Sequence, residues 1–447
     1  MQTQQLLQGN FRITILRYIS LNVVSMIGLS LYILADTFFV ANGVGSNGIV
    51  ALNIALPAYS FVNGVGLLLG MGAATRFSIA IGEGQQERGS RIFTQAAGLG
   101  ACATAVFTLI GICFSQPIVE LLGASGEIIP LAKEYLQTTL CFSGAFIFND
   151  LLICFVRNDK KPHLSTAAML TASMSNILLD YIFVFPLGMG MFGAAFATGI
   201  APLLSLCVLS THFFKKHNHF RLVRCHPRWG EIHPLLLAGV PSFVNEFSSG
   251  VVLLLFNKII LALAGNTGVG AYGIITNIAL VFLALFNGIG QGIQPLASLC
   301  YGAGEHKKIR QILRYGWGIA VVFGSLFYLS GLLFPEQMTA AFNKDGGMEL
   351  TRIAVDGIRI YFIAFFMMGL NIVSASLFAC VAQPRQAALL SVLRGFGAVI
   401  PLVLLLSSLF GLTGVWMTIP AAEALTLLLN LCFLAFYFRR KNALPNR

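Results

Sequence analysis

Residues 37–75 read TFFVANGVGSNGIVALNIALPAYSFVNGVGLLLGMGAAT, without one Asp, Glu, Lys or Arg. The hydrocarbon core of a bilayer needs about 20 apolar residues per helix. The polar cluster Asn42-Gly43-Val44-Gly45-Ser46-Asn47-Gly48 is a turn signal, so this stretch holds parts of two membrane spans joined by a tight turn. Residues 181–214 and 259–304 are uncharged in the same way, the latter interrupted by Gly265-Asn266-Thr267-Gly268. The whole chain agrees: of its 447 residues 57% are hydrophobic and 10% charged, against roughly 25% charged in soluble domains. Its mean hydropathy is +0.81. So few ionisable groups cannot coat a water-soluble globule of this size, which excludes a soluble enzyme. The 46 glycines suit close helix packing in a membrane.

Hydrophobic runs predict twelve helices, at 13–41, 49–80, 92–114, 129–156, 164–185, 192–214, 234–263, 271–301, 311–334, 354–381, 386–409 and 415–438. The net charge of +11 then acquires a location. Arg12 and Arg17 sit at the start of helix 1, Arg88 and Arg91 after helix 2, and Arg157, Lys160 and Lys161 after helix 4. Five bases from Lys215 to Arg228 follow helix 6, and Lys307, Lys308, Arg310 and Arg314 follow helix 8. Arg385 and Arg394 follow helix 10, and Arg439, Arg440, Lys441 and Arg447 end the chain. These are 22 of the 28 bases, all on one side; Lys133, Lys344, Arg352 and Arg359 lie on the other. The positive-inside rule makes the crowded side, with both termini, cytoplasmic. The basic excess therefore reports topology, and nucleic acid is not an expected partner. Nine scattered cysteines show no metal-ligand spacing and read as buried hydrophobes. Helix 1 carries no small-residue cleavage site of a signal peptide.

The two halves repeat. Gly72-Ala-Ala-Thr-Arg-Phe-Ser78-Ile-Ala-Ile-Gly82-Glu-Gly84 matches Gly292-Ile-Gln-Pro-Leu-Ala-Ser298-Leu-Cys-Tyr-Gly302-Ala-Gly304 at an offset of 220. Pro162 with Pro384 and Gly193 with Gly414 continue the shift. An even number of helices per unit returns the chain to its starting side, so the repeats are parallel, related by an axis along the membrane normal. The expected organisation is residues 1–214, a basic linker at 215–233, and residues 234–447. Paired bundles of this kind suggest alternating access around a central cavity.

An acid inside a span costs about 2.5–3.5 kcal/mol on insertion scales and is functional by default. Five acids lie within spans: Asp36, Asp150, Asp180, Glu246 and Glu423. Asp36, Asp180 and Thr198 all lie about five or six residues from the outer ends of their helices, a common depth of about 7–9 Å. Asn176 precedes Asp180 by one turn and shares its face. Two carboxylates, an amide oxygen and a hydroxyl at one level suit a Na⁺ ion or a shared proton. Independent satisfaction of the two acids, or a water-filled vestibule, is the structural alternative. Asp150 is either paired with Arg76 of helix 2 or a substrate-binding acid, while Arg76 and Lys258 lie near helix ends where they can snorkel. Glu246, near the midplane after the kink signal Gly239-Val240-Pro241-Ser242, is a candidate attractor for a cationic substrate, with Glu423 a second. Shifting Asp36 and Asp180 by the repeat offset reaches no carboxylate, so ion coupling is expected in the N-terminal half alone.

These motifs resemble the multidrug and toxic compound extrusion family of antiporters along essentially the whole chain. Tyr32-Ile-Leu-Ala-Asp36-Thr, Arg157-Asn-Asp-Lys-Lys-Pro162, Asn176-Ile-Leu-Leu-Asp180-Tyr, Gly193-Ala-Ala-Phe-Ala-Thr198 and Gly239-Val-Pro-Ser242 with Glu246 carry the likeness. The resemblance implies an all-α integral membrane protein whose two six-helix repeats form an N-lobe and a C-lobe. It implies export of amphipathic, often cationic, drugs or metabolites in exchange for inward Na⁺ or H⁺. Positions matching Asp36, Asn176, Asp180 and Thr198 form the cation site in prokaryotic members. Leu21 stands where the family usually has a helix 1 proline, and Glu246 sits about a turn earlier than the helix 7 glutamate of some relatives. The partners are then a small-molecule substrate and membrane lipid, the chain acts as a monomer in the cytoplasmic membrane, and no cofactor is expected beyond the coupling ion. The rivals are a flippase for lipid-linked oligosaccharides, which would favour a strongly cationic cavity, and an intramembrane aspartyl protease built on Asp36 and Asp180. Neither acid lies in a GxGD-type motif.

Overall fold

The structure, a computed structural model, describes residues 10–214, 218–340, 342 and 347–442; Lys215, Lys216, Lys344 and Arg447 lie outside the described residues. Within the described residues there is helix and no strand. The first helices are α1 (Phe11–Gly43), α2 (Ser46–Gly82) and α3 (Gln86–Leu121). Helix α4 consists of Ile128–Cys141 and Ser143–Asn158, bent by 48°. Helices α5 (Pro162–Val184) and α6 (Gly190–Phe214) complete the first half. The run Trp229–Gly302 is continuous except at Gly265 (φ 61°, ψ −159°), which divides it into α7 (229–264) and α8 (266–302). Helix α9 (His306–Leu333) and a short helix Pro335–Ala340 precede α10, which joins Met348–Tyr361 to Phe365–Cys380 through one 3₁₀ turn. Gly411 (φ 56°, ψ −134°) separates α11 (384–410) from α12 (412–442). Twelve spans result. Helix α3 differs most from expectation, extending past both predicted ends because its charged first turns continue the helix beyond the apolar segment.

The repeat is written in the backbone. Gly45 and Gly265 take positive φ 220 residues apart, as do Gly84 and Gly304; Gly190 and Gly411 do so 221 apart. The two non-glycine residues with positive φ, Lys160 (64°) and Ala382 (55°), are separated by 222. Each lies two residues before the proline that opens α5 or α11, where a missing N–H leaves no helical bond unmade.

Each half has its own apolar core. The halves exchange a few residues: Phe11, Ile15, Tyr18 and Ile19 at the start of α1 join the core of the second half, and Leu235 and Ala284 join that of the first. The lobes meet through glycine at the end bearing the basic loops. A Cβ on Gly82 would strike the Leu299 carbonyl, and one on Gly302 the Ile79 carbonyl, a contact and its symmetry mate. Gly72 against Leu235 and Gly239 repeats as Gly292 against Tyr18 and Ile19. Small residues thus let α2 and α8 cross backbone to backbone. One arginine expected in a solvated loop is instead inside the protein, Arg157, which is 1% exposed in the last turn of α4; Arg394, counted with the bases after helix 10 but within the predicted helix 386–409, lies in a π-turn, Leu393–Gly397, within α11. Both find uncharged or acidic partners in the lobe interior, described below.

Candidate functional site

Helices α1 and α5 place Asp36, Asn176 and Asp180 together in the interior of the first lobe, where all three are buried. The carboxyls of Asp36 and Asp180 face each other within hydrogen-bonding reach. Asn176 Nδ2 donates to Thr198 Oγ1 at 3.3 Å, tying α5 to α6 and turning the amide oxygen of Asn176 away from Thr198. Among the described residues no donor reaches Asp36 Oδ1, either oxygen of Asp180, or Asn176 Oδ1. Buried polar atoms ordinarily find partners, and an ionised carboxylate without one is prohibitively costly. Four donorless oxygens on adjoining side chains form an all-oxygen set suited to a hard cation or to a shared proton.

The depth argument on acids alone misses Tyr135 of α4, whose hydroxyl lies within hydrogen-bonding reach of Thr198. Its signal was present: Tyr135 sits about six residues from the start of its predicted helix, at the level of Asp36 and Thr198.

A second polar group lies between the lobes. Glu246 of α7 lies within hydrogen-bonding reach of Asn63 of α2. Asp150 of α4 feels the charge of Glu246, and its Oδ2, packed against Gly66 of α2, has no partner among the described residues. Both acids are half-buried. The expected pairing of Asp150 with Arg76 is not made. Asp150 packs against Gly66 and Gly70 of α2, about 9 Å along the helix from residue 76, and the charged neighbours of Arg76 are Arg88, Glu83 and Glu231. The two polar groups are joined by α1. Tyr32, one turn before Asp36, places its hydroxyl 3.4 Å from that of Tyr59, which stands close to Glu246 and Asp150.

Glu423 occupies a different setting. Arg394 donates to its Oε1 from Nε at 3.2 Å and Nη2 at 3.0 Å, and Asn371 donates to Oε2 at 2.7 Å. Asn430 in turn donates to Asn371 Oδ1 at 3.2 Å, closing a buried network in the second lobe.

Arg157 fastens the basic end. Its Nη1 donates to Asn22 Oδ1 at 2.8 Å and to Gln291 Oε1 at 2.7 Å, and its Nη2 to Gln294 Oε1 at 3.3 Å, so one side chain of α4 bridges α1 and α8. No carboxylate partners it among the described residues. Where the family usually has proline, Leu21 leaves α1 uninterrupted, its carbonyl accepting from Ser25 and Thr166. After α4, Asp159 pins the interlobe linker: His212 Nε2 lies 2.8 Å from its Oδ2 and the His219 N–H donates to the same oxygen at 3.0 Å. Burial works to raise this carboxyl, but the bonds from His212 and His219 outweigh it and hold Asp159 below the ordinary carboxylate range.

Comparison with known proteins bears on the family and the fold. The MatE family model matches residues 22–182 and 241–405, one block in each half. The multidrug export protein MepA of Staphylococcus aureus (strain MSSA476) is 24% identical over 399 residues, 88% of this chain and 87% of that protein. MepA of Staphylococcus haemolyticus (strain JCSC1435) is 24% identical over 413 residues, 92% and 90% of the two chains. Among solved structures, a MATE protein crystallised in complex with MaL6 superposes with a TM-score of 0.92 at 20% identity, covering 98% of this chain and 99% of that one. A MOP superfamily transporter from Pyrococcus furiosus, described as having a binding pocket of reverse polarity, gives 0.89 at 20% identity over 97% of each chain. With the family model spanning most of the sequence and the twelve-helix, two-lobe architecture shared at that level, the chain belongs to the MatE, or multidrug and toxic compound extrusion, family of membrane transporters.

Proposed function

We propose that the protein is a secondary antiporter of the cytoplasmic membrane that exports amphipathic cations in exchange for inward Na⁺ or H⁺. The observation that carries this reading is the set of donorless oxygens on Asp36, Asn176 and Asp180, buried in one lobe beside Thr198. A Na⁺ ion or a proton there removes the cost of burying two facing carboxyls. Glu246 and Asp150, which pair with no base among the described residues, supply negative charge between the lobes for a cationic substrate. Glu423 joins them only when its ion pair with Arg394 opens. The Tyr32–Tyr59 contact makes α1 the link between the two sites, so that filling one alters the helix that lines the other. Closure of the basic end through Gly82, Gly302 and Arg157 defines one of the two arrangements of alternating access. The staphylococcal relatives are named multidrug export proteins, which supports a broad substrate range. The basic loops support a cytoplasmic position for both termini, and in this reading the chain works as a monomer with no catalytic residue and no cofactor.

A potential of 100 mV contributes about 2.3 kcal/mol per charge moved, or about 50-fold in substrate concentration. The test is efflux from proteoliposomes with Na⁺ and H⁺ gradients imposed separately. One gradient is expected to drive efflux by the native chain, and Asp36→Asn and Asp180→Asn are expected to abolish that dependence. Gradient-driven efflux that survives both substitutions refutes the site.

A further inference from the structure

A groove of about 720 Å³ opens on the outside of the molecule at the basic end, between the start of α1 and the first half of α9. Its rim carries Arg12, Lys307, Arg310 and Arg314, all exposed, with Gln311 among them. Below the rim its floor turns apolar, through Tyr315 and Ile319 to Val322 and Phe323, and Val322 is 57% exposed on the face of a membrane span. Among the described residues no carboxylate lies within 4 Å of any of the four bases. The nearby acid Glu305 is engaged by Lys308, which itself lies over the Phe11 ring. Arg310 is held in place over Phe438 at 4.9 Å.

This arrangement is electrostatically unfavourable by itself. Arg12 lies in the first turn of α1 and Lys307 and Arg310 near the start of α9; neither first turn holds an acid, and Glu305, the N-cap of α9, is engaged by Lys308. Helix N-termini carry partial positive charge and favour anions. Two such termini with four bases converge on one groove, which is the complement of a phosphate. The positive-inside rule accounts for bases on this side of the membrane, but not for their convergence over an apolar channel. The channel decides between a soluble anion and a lipid. From Arg314 to Phe323 the floor descends about 13 Å along the helix, the direction an acyl chain takes from its headgroup.

We infer that this groove is a binding site for an anionic phospholipid, its phosphate held by Arg12, Lys307, Arg310 and Arg314 and its acyl chain lying on Ile319, Val322 and Phe323. Because Arg12 belongs to α1 and the other bases to α9, the bound lipid bridges the start of the first lobe and the second lobe.

The test is native mass spectrometry of the full chain titrated with phosphatidylglycerol or, as the neutral probe, phosphatidylcholine. Juxtamembrane bases each contribute about 1 kcal/mol toward anionic lipid, so phosphatidylglycerol is expected to be retained at least about tenfold more tightly. The triple variant Lys307→Gln, Arg310→Gln, Arg314→Gln is expected to lose that preference, and Arg12→Gln, on the other helix, to weaken it. The matched charge loss Arg221→Gln, Arg224→Gln, Arg228→Gln in the linker, where all three arginines are exposed, is expected to leave it intact. Equal retention of the two lipids, equal loss in the linker variant, or displacement of phosphatidylglycerol by millimolar inorganic phosphate each overturns the assignment; the last would mark a free-anion site.

Discussion

The two lobes share a backbone and differ in where their positive charge comes from. In the N-terminal lobe the polar cluster lies between α1, α5 and α6 and consists of oxygens without donors, on Asp36, Asn176 and Asp180. In the C-terminal lobe the cluster lies between α10, α11 and α12, and its carboxylate, Glu423, is held by Arg394 and Asn371. At the offset of 222 that relates Lys160 to Ala382, Arg394 corresponds to Ala172, in regular helix and without a charge to offer, whereas Arg394 itself sits in a π-turn. A π-turn inserts one residue and re-aims the side chains that follow it. The second lobe therefore contains its own cation, and in the function proposed above the first takes one from outside. A duplicated scaffold with one internally neutralised core and one open core explains how ion coupling can reside in a single lobe.

The largest effect expected from this contrast is on stability. Arg394→Met leaves Glu423 buried without its base and should lower unfolding stability by about 3–5 kcal/mol. Asp180→Asn removes a carboxylate that has no donor and should change stability by less than about 1 kcal/mol, in either direction. Thermal unfolding of the two purified variants in detergent measures both. Equal destabilisation by the two would erase the distinction between the lobes.

Next in size is ion affinity. Thr198→Val removes the acceptor of the Asn176 amide and a hydroxyl at the site, and should weaken the dependence of transport on the driving cation by about tenfold. Thr426 supplies the control in the other lobe. It is buried near Glu423 but bonds only the Ala422 carbonyl of its own helix, so Thr426→Val should leave the cation dependence unchanged.

These contrasts also mark what sequence makes visible. The twelve spans and the repeat were legible because hydrophobic length and glycine spacing act locally. The level shared by Asp36, Asp180 and Thr198 was legible because depth in a membrane counts along a helix. Tyr135 was missed because depth was asked of acids and their neighbours, not of every hydroxyl. Arg157 resembled a loop base because its partners Asn22, Gln291 and Gln294 are uncharged and lie more than 130 residues away. Arg394 fell within the predicted helix 386–409, but its bond to Glu423 from within a π-turn is announced by no local pattern.

The linker between the lobes gives a smaller, pH-dependent effect. Asp159 is held below its ordinary value in the folded protein by His212 and His219. A depressed carboxylate contributes stability that is complete above the unfolded value of about 3.9 and is lost as pH falls through the folded value. Docking of the linker should accordingly persist at neutral pH and fail in strong acid. Asp159→Asn should loosen it already at neutral pH, by about 1.5–3 kcal/mol for the charge-assisted bonds removed. Trypsin cleavage at the exposed Arg221 and Arg224 reads this directly, and should accelerate in the variant.

The smallest effect tests the shared scaffold itself. Lys160 and Ala382 hold φ of 64° and 55° at matching positions before the prolines of α5 and α11. A Cβ in this left-handed region costs about 1–2 kcal/mol, whereas glycine enters it freely but loses more entropy on folding. Lys160→Gly and Ala382→Gly should each raise stability by about 0.5–1 kcal/mol once that entropy is subtracted, and by similar amounts, since the turn is the same turn twice. Thermal unfolding of each variant and of the pair checks both sign and additivity. A gain at one position and a loss at the other would mean that the lobes have diverged in backbone energetics as well as in chemistry. The open and the neutralised core would then no longer be two fillings of one frame.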